Sequence, residues 1–233
     1  MIDFAKILHE LEQLPQTWHA SGPLDVNVLK KIAHLCKGYG LIKQSVETGA
    51  GKSTLFFSQV SQNHTVFAID VGKSLTRVKE SKLLEKQNVE FVEGPTQQTV
   101  PVYSFRSELD IVLIDGPHGY PFPDLEYYYF YPHIAEGGLL IIDDINIPSI
   151  KRMAKIIKSD DMFECLDLVG KTMFFQRTGA PLFDPLADGW WNQGYNKPYL
   201  RKTKQLEKIK KLMPTSLFNL IPNSLRLRIQ RYL

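Results

Sequence analysis

Ser45-Val46-Glu47-Thr48-Gly49-Ala50-Gly51-Lys52-Ser53-Thr54 is the stretch that decides how this chain is read. It follows an apolar run that begins at Leu41-Ile42 and precedes a helical pattern, Leu55-Phe56-Phe57-Ser58-Gln59-Val60. A strand that ends in an acid, turns through two glycines and enters a helix is a ligand-binding corner. The glycines let backbone approach a ligand closely, and the helix start supplies unpaired N–H groups. Gly51-Lys52-Ser53 looks like the end of a phosphate loop, but G-x-x-x-x-G-K-[ST] needs glycine where Val46 stands. Val46 also belongs to the strand, which leaves the loop too short to wrap a triphosphate. The dinucleotide pattern G-x-G-x-x-G fits at Gly49 and Gly51, while Thr54 takes the place of its third glycine. Glu47 adds a preference of its own, because a carboxylate at the turn repels phosphate and favours a cationic ligand. An ATP- or GTP-binding protein built on Gly51-Lys52-Ser53 stays open as a rival.

Outward from this corner, strands and helices alternate. Helical spacing over 2–14 and 25–38 predicts a cap ahead of the core. Strands are expected over 41–47, 65–70, 89–93, 109–115 and 139–143, with helices over 52–62, 73–87, 124–135 and 149–158. Pro95 and Pro101 weaken any helix after the third strand. Such alternation implies a parallel sheet with helices on both faces. The last two strand-like runs, 163–168 and 171–176, are separated only by Val169-Gly170. That is too short for a helical crossover, so they must pair antiparallel. Three segments follow: a helical cap (1–39), the core (40–178), and a loop with a basic helical tail (179–233).

At 233 residues the chain can bury one full core, and its 43% hydrophobic and 23% charged content is ordinary for a globular protein. Cys36 and Cys165 are too few for a disulfide framework or a thiolate metal site. Met1 to Lys6 runs on to Glu10 and Glu12 without a signal-peptide pattern, and no apolar run approaches the ~20 residues that cross a bilayer. A cytoplasmic location is expected. From Lys197 onward ten Lys/Arg stand against one acid, Glu207. This tail reads as two helices divided by Pro214. Leu206, Ile209, Leu212 and Met213 form a stripe on the first; Leu225, Ile229, Tyr232 and Leu233 form one on the second, after Ser224 as N-cap. Residues 199–233 are therefore either a helical face packed on its own domain or a peripheral contact with an anionic membrane or a protein. In the second case the chain works as a non-catalytic adaptor. No nucleic-acid motif accompanies the charge, so no nucleic acid is expected. Homo-oligomers are compatible with everything above.

An acidic strand end followed by G-x-G is the pattern of S-adenosylmethionine sites, where the ligand carries an ammonium and no phosphate. The chain resembles the class I S-adenosylmethionine-dependent methyltransferases, and within them the metal-dependent O-methyltransferases acting on catechols and macrolide sugars. The resemblance covers about residues 40–178. It rests on V-E-T-G-A-G-K-S-T at 46–54, F-A-I-D at 67–70, V-L-I-D-G-P-H-G-Y at 112–120 and G-G-L-L-I-I-D-D at 137–144. It implies a Rossmann-like, doubly wound, seven-stranded sheet whose last strand is antiparallel.

The resemblance also implies residue roles beyond the carboxyl ends of the strands. Glu47, Thr48, Gly49 and Gly51 would face the methionine half of S-adenosylmethionine, with Ser53 as a hydrogen-bonding neighbour. Asp70 would hold the ribose hydroxyls, unless it is simply the acid at a helix start. Gly94 and Thr96 would frame the adenine, with Asp115 beside the cofactor. Asp115, Asp143 and Asp144 end neighbouring strands, and three converging carboxylates call for a cation. Oxygen ligands favour a hard ion such as Mg²⁺. In the family the residue three beyond the first aspartate is the general base; here that is His118, whose imidazole changes charge in the neutral range. The expected substrate is a small molecule with a hydroxyl to methylate. The aromatic run Tyr127 to Tyr131 reads as packing, and Trp190-Trp191 as a lid or as a strap for the tail. His9, His19, His34, His64 and His133 share no metal spacing and receive no role.

Overall fold

The apolar runs build one mixed sheet: β1 (Ile42–Thr48), β2 (Ser61–Ala68), β3 (Val89–Glu93), β4 (Leu109–Ile114), β5 (Ile134–Ile142), β6 (Phe163–Val169) and β7 (Thr172–Arg177). In the computed structural model, which describes residues 2–15, 24–183 and 188–212, they lie in the order β3-β2-β1-β4-β5-β7-β6. β1 pairs parallel with β2 and β4, β2 with β3, and β4 with β5; β7 runs antiparallel between β5 and β6. The expected doubly wound, seven-stranded sheet with an antiparallel strand is therefore what forms. The helices are α1 (Phe4–Glu12), α2 (Val26–Tyr39), α3 (Lys52–Val60), α4 (Ser74–Glu80), α5 (Thr96–Thr99), α6 (Phe122–Phe130), α7 (Pro148–Lys158) and α8 (Lys197–Leu212).

Chain contacts divide the molecule into two compact units, Met1–Lys158 with Met162–Ala180, and Ser159–Asp161 with Pro181–Leu233. In the first, α1 and α2 start with aspartate caps. Asp3 accepts from the Lys6 N–H (3.0 Å) and Asp25 from the Asn27 N–H (2.7 Å), satisfying donors that a helix start leaves open. Their apolar stripes (Ile7, Leu11, Val28, Leu29, Ile32) share a core with Phe56 and Phe57 of α3 and with Ile111, Leu113, Ile141 and Phe174 of the sheet. Burying each phenylalanine contributes on the order of 2–3 kcal/mol. On the other face Phe130 of α6 packs on Phe67 of β2, ring centroids 5.9 Å apart.

Several elements differ in extent from expectation, the two helices among them for local reasons. The helix expected over 73–87 is only α4, because Ser81 turns extended (ψ 136°) and its hydroxyl accepts from the Leu83 N–H at 3.2 Å. The helix expected over 124–135 starts at Phe122, with Pro123 in its first turn, and gives way to a 3₁₀ turn at Tyr131–His133, where Pro132 has no N–H to donate. β5 begins at Ile134 instead of Leu139, and β2 at Ser61 instead of Thr65.

In the second unit, Trp190 stacks edge-on against Trp191 (6.0 Å) and tilts against Tyr199 of α8 (6.3 Å), and Asn196 Nδ2 donates to the Trp190 carbonyl at 3.0 Å. These contacts tie the tryptophan turn to the start of the basic helix. Met213 and the helix expected after Pro222 lie outside the described residues. Among the described residues no helix is long and apolar enough to cross a membrane.

Candidate active site

The sheet order reverses between β1 and β4, and the crevice beyond the carboxyl ends of such strands is where an open α/β sheet receives a ligand. β1 delivers Glu47 and Thr48 to this rim, and alternation sends them to opposite faces. Glu47, fully buried, accepts from the Thr54 hydroxyl and lies 3.2 Å from His64 Nε2; His64 Nδ1 lies 2.8 Å from the Ser45 hydroxyl. On the opposite face Thr48 donates to Glu126 Oε2 (2.9 Å) and accepts the Asp115 N–H (3.1 Å). Both side chains are thus used below the rim, and the backbone of Gly49 to Gly51 is what reaches the crevice. Gly49 has φ +89°, and a Cβ there would stand 2.6 Å from the Asp115 carbonyl oxygen, so no other residue fits.

A cavity of about 550 Å³ opens at this point. Gly49, Gly51, Ser53, Gly94, Thr96, Asp115, His118, Asp143 and Asp144 all line it, as does Lys171. Glu47, Thr48 and Asp70 are not among its lining residues. For the first two the reason is the sheet alternation just described. Asp70 turns to α4, accepting from the N–H groups of Leu75 (3.0 Å) and Thr76 (3.2 Å) and from the Thr76 hydroxyl (2.6 Å). The Thr76 hydroxyl bond, with help from the two N–H groups, holds its carboxyl below the usual range. This is the helix-start arrangement left open at Asp70, and Ile69 and Val71 line the cavity there.

At the ends of β4 and β5 the groups are less well compensated. Burial pushes the Asp115 carboxyl well above its ordinary range, and the charges of Asp143, Asp144 and Glu47 push it further. Asp143 is buried and accepts from the Thr172 hydroxyl. Lys171 pairs with Asp144 Oδ1 and lies 3.6 Å from Asp143 Oδ2. Burial opposes the Lys171 charge, but the bond to Asp144 and the surrounding carboxylates prevail and raise its pKa. His118 Nε2 is 3.0 Å from Asp144 Oδ2, although out of hydrogen-bond alignment, and the His118 carbonyl accepts from Ser149 at 2.6 Å.

Asp115, His118 and Asp144 each offer a ligand atom, all within 4.8 Å of one another, so a small hard cation fits among them. Asp143 was expected in that group. Its carboxylate accepts from the Thr172 hydroxyl and lies 3.6 Å from the Lys171 ammonium, and the three groups found together are Asp115, His118 and Asp144.

Two residues that the sequence reading passed over support the site. His64 fixes Glu47, a role with no spacing signature because its partners come from the adjacent strand and from α3. Glu126 sits under the 115–118 loop: a Cβ on Gly116 would meet its Oε1 at 2.5 Å and the Thr48 hydroxyl at 2.8 Å. Burial raises Glu126 to about 7, against the opposing effect of the Thr96 and Thr48 hydroxyls; its Oε1 and the Thr96 hydroxyl lie out of hydrogen-bond alignment. An acid directly before the aromatic run of α6 was the signal available for it.

Residues 46–145 match a family model described as a methyltransferase domain. Over that stretch the chain is similar to methyltransferase domains, and its sheet has the fold of solved methyltransferases. Solved structures with this fold include the O-methyltransferase from Bacillus cereus in complex with SAH (14% identity, covering 74% of this chain and 90% of that one, TM-score 0.56). Another is the O-methyltransferase TomG from Streptomyces achromogenes, involved in tomaymycin synthesis, in complex with SAM (13%, 76% and 89%, TM-score 0.54). A third is MycE from the mycinamycin biosynthetic pathway, in complex with Mg, SAH and mycinamycin VI (13%, 78% and 57%, TM-score 0.50). A search of curated proteins found no match. Lys52, the residue that would serve a phosphate loop, instead donates its ammonium to the Leu14 carbonyl at 3.0 Å.

Proposed function

We propose that the protein methylates a hydroxyl oxygen of a small molecule, using S-adenosylmethionine and a divalent cation such as Mg²⁺. The observation that carries this reading is one cavity bounded on one side by the Gly49–Gly51 backbone and on the other by Asp115, His118 and Asp144. Bound there, S-adenosylmethionine would supply the methyl group, and a divalent ion held by the carboxylates would lower the pKa of the acceptor hydroxyl. Gly49, Gly51, Ser53, Gly94 and Thr96 bind and orient the donor. Glu47 contributes at one remove, as a negative charge fixed beneath the turn, and Thr48 holds the Asp115 backbone in place. Asp115 and Asp144 are the carboxylates that would hold the ion. His118, in the cavity wall beside the carboxylate pair, takes the hydroxyl proton and leaves the ion to Asp115 and Asp144. Asp70 reaches a ribose only by giving up its bonds to α4.

Calorimetry of the full chain with S-adenosylmethionine, with and without Mg²⁺, tests the two parts separately. The donor binds the parent and His118→Ala alike, and Gly49→Val lowers its affinity by at least about 100-fold, through a backbone clash and a strained φ. A parent that binds no donor would end the proposal. Transfer of labelled methyl to hydroxylated acceptors that persists undiminished in a chelator would remove the ion from it.

A further inference from the structure

We infer that Lys171 is a resident counter-cation of the carboxylate cluster, which holds Asp144 while no ion is bound and competes with a hard divalent cation for that side chain. The inference rests on the metal reading proposed above and concerns a residue to which that reading gives no part.

Lys171 occupies the turn between β6 and β7, directly after Gly170, whose φ is +58°. Because β7 runs antiparallel to β5, with Met173 opposite Ile142, the chain just before β7 lies beside the chain just after β5. Three contacts fasten the two together. The Ile145 N–H donates to the Lys171 carbonyl at 2.9 Å, the Thr172 hydroxyl donates to Asp143, and the Lys171 ammonium pairs with Asp144. The backbone of the turn therefore holds Lys171 beside the acids, and its ammonium reaches Asp144 from there.

The charges explain why a lysine is useful there. Asp115, Asp143 and Asp144 meet in a small volume, and one ammonium offsets part of their repulsion. A divalent ion placed among Asp115, His118 and Asp144 would draw on the same Asp144 carboxylate that now holds the ammonium. An ammonium left at this distance would repel the ion. Its side chain is 45% exposed and its stem is flexible, so a route of retreat into solvent is open. The cluster then has two arrangements, one held by lysine and one held by the ion.

Mn²⁺ titration of the full chain by calorimetry tests this. Lys171→Met is expected to bind Mn²⁺ about tenfold more tightly than the parent, and Lys171→Arg, which keeps the charge, like the parent. Without divalent ions the Met variant should melt below the parent, and saturating Mn²⁺ should close that gap; lost packing alone would leave it unchanged. As a second reading on the parent, the Lys171 Cε resonance should shift on saturation with Mg²⁺. Equal or weaker Mn²⁺ binding by Lys171→Met, or an unmoved Cε resonance in a parent that binds the ion, would overturn the competition and leave the metal reading standing. If neither the parent nor the variants bind Mn²⁺, both readings fall together.

Discussion

Two groups of acids lie at neighbouring strand ends of this sheet, and they are treated in opposite ways. Glu47, at the end of β1, is sealed: Thr54 donates to it, His64 faces it, and His64 in turn lies against Ser45 and stacks on Phe57 with ring centroids 5.1 Å apart. Asp115, at the end of β4, has other carboxylates as near neighbours, and their charges raise its pKa on top of burial. One network satisfies its polar atoms with hydroxyls and an imidazole from fixed elements. The other faces a cavity and takes its compensation from Lys171 on a turn. A buried carboxylate with fixed donors acts as scaffold. One left short of compensation at a cavity wall is ready for an external cation or a proton.

The comparison breaks most visibly at His118. His118→Ala removes the proposed base from the open group, and methyl transfer should fall by about 10²–10⁴-fold with melting behaviour nearly unchanged, as steady-state assays and thermal unfolding will record. A parent-like turnover number would remove His118 from the chemistry. In the sealed group the effect should fall on stability. His64→Ala leaves the Glu47 carboxylate buried with Thr54 as its remaining donor, and urea unfolding should show a loss of about 3 kcal/mol. A variant as stable as the parent would mean that Glu47 is not sealed by His64.

Glu126 sharpens the contrast from between the two. Its folded pKa of about 7 exceeds the ordinary 4.5, so between these values the folded chain holds a proton that the unfolded chain has released. The stability this provides is complete below about pH 4.5 and is lost as pH rises through about 7. Glu126→Gln cannot titrate and keeps an oxygen to accept from Thr48. It should therefore exceed the parent in stability by up to about 3 kcal/mol at pH 8 and match it near pH 5. Equal pH dependence in urea unfolding of the two proteins would show that Glu126 is ionised in the fold.

Much of this was legible in the chain itself. The 163–168 and 171–176 runs stand too close for anything but an antiparallel hairpin, and that hairpin now separates β5 from the sheet edge. Gly49 and Gly51 stand at the crevice, as the strand–turn–helix pattern required. Helix ends were less legible, because Ser81 and Tyr131 leave the helix through a side-chain bond and a following proline whose effect depends on neighbours. His64 and Glu126 were illegible as support. Their partners are 17 and 78 residues away in sequence, and only the sheet brings them into contact.

By itself, then, the sequence settles the class of sheet, the glycine turn and the strand ends that carry acids, because alternation and turn chemistry are local properties of the chain. Which of those acids is closed off and which is left open depends on side chains supplied by adjacent strands and helices. Glu47 meets His64 and Thr54, Asp70 meets Thr76, and Asp144 meets Lys171, through packing that no local pattern encodes. Tertiary structure made that division, since the fate of a carboxylate is set by the donors and charges within a few ångströms of it.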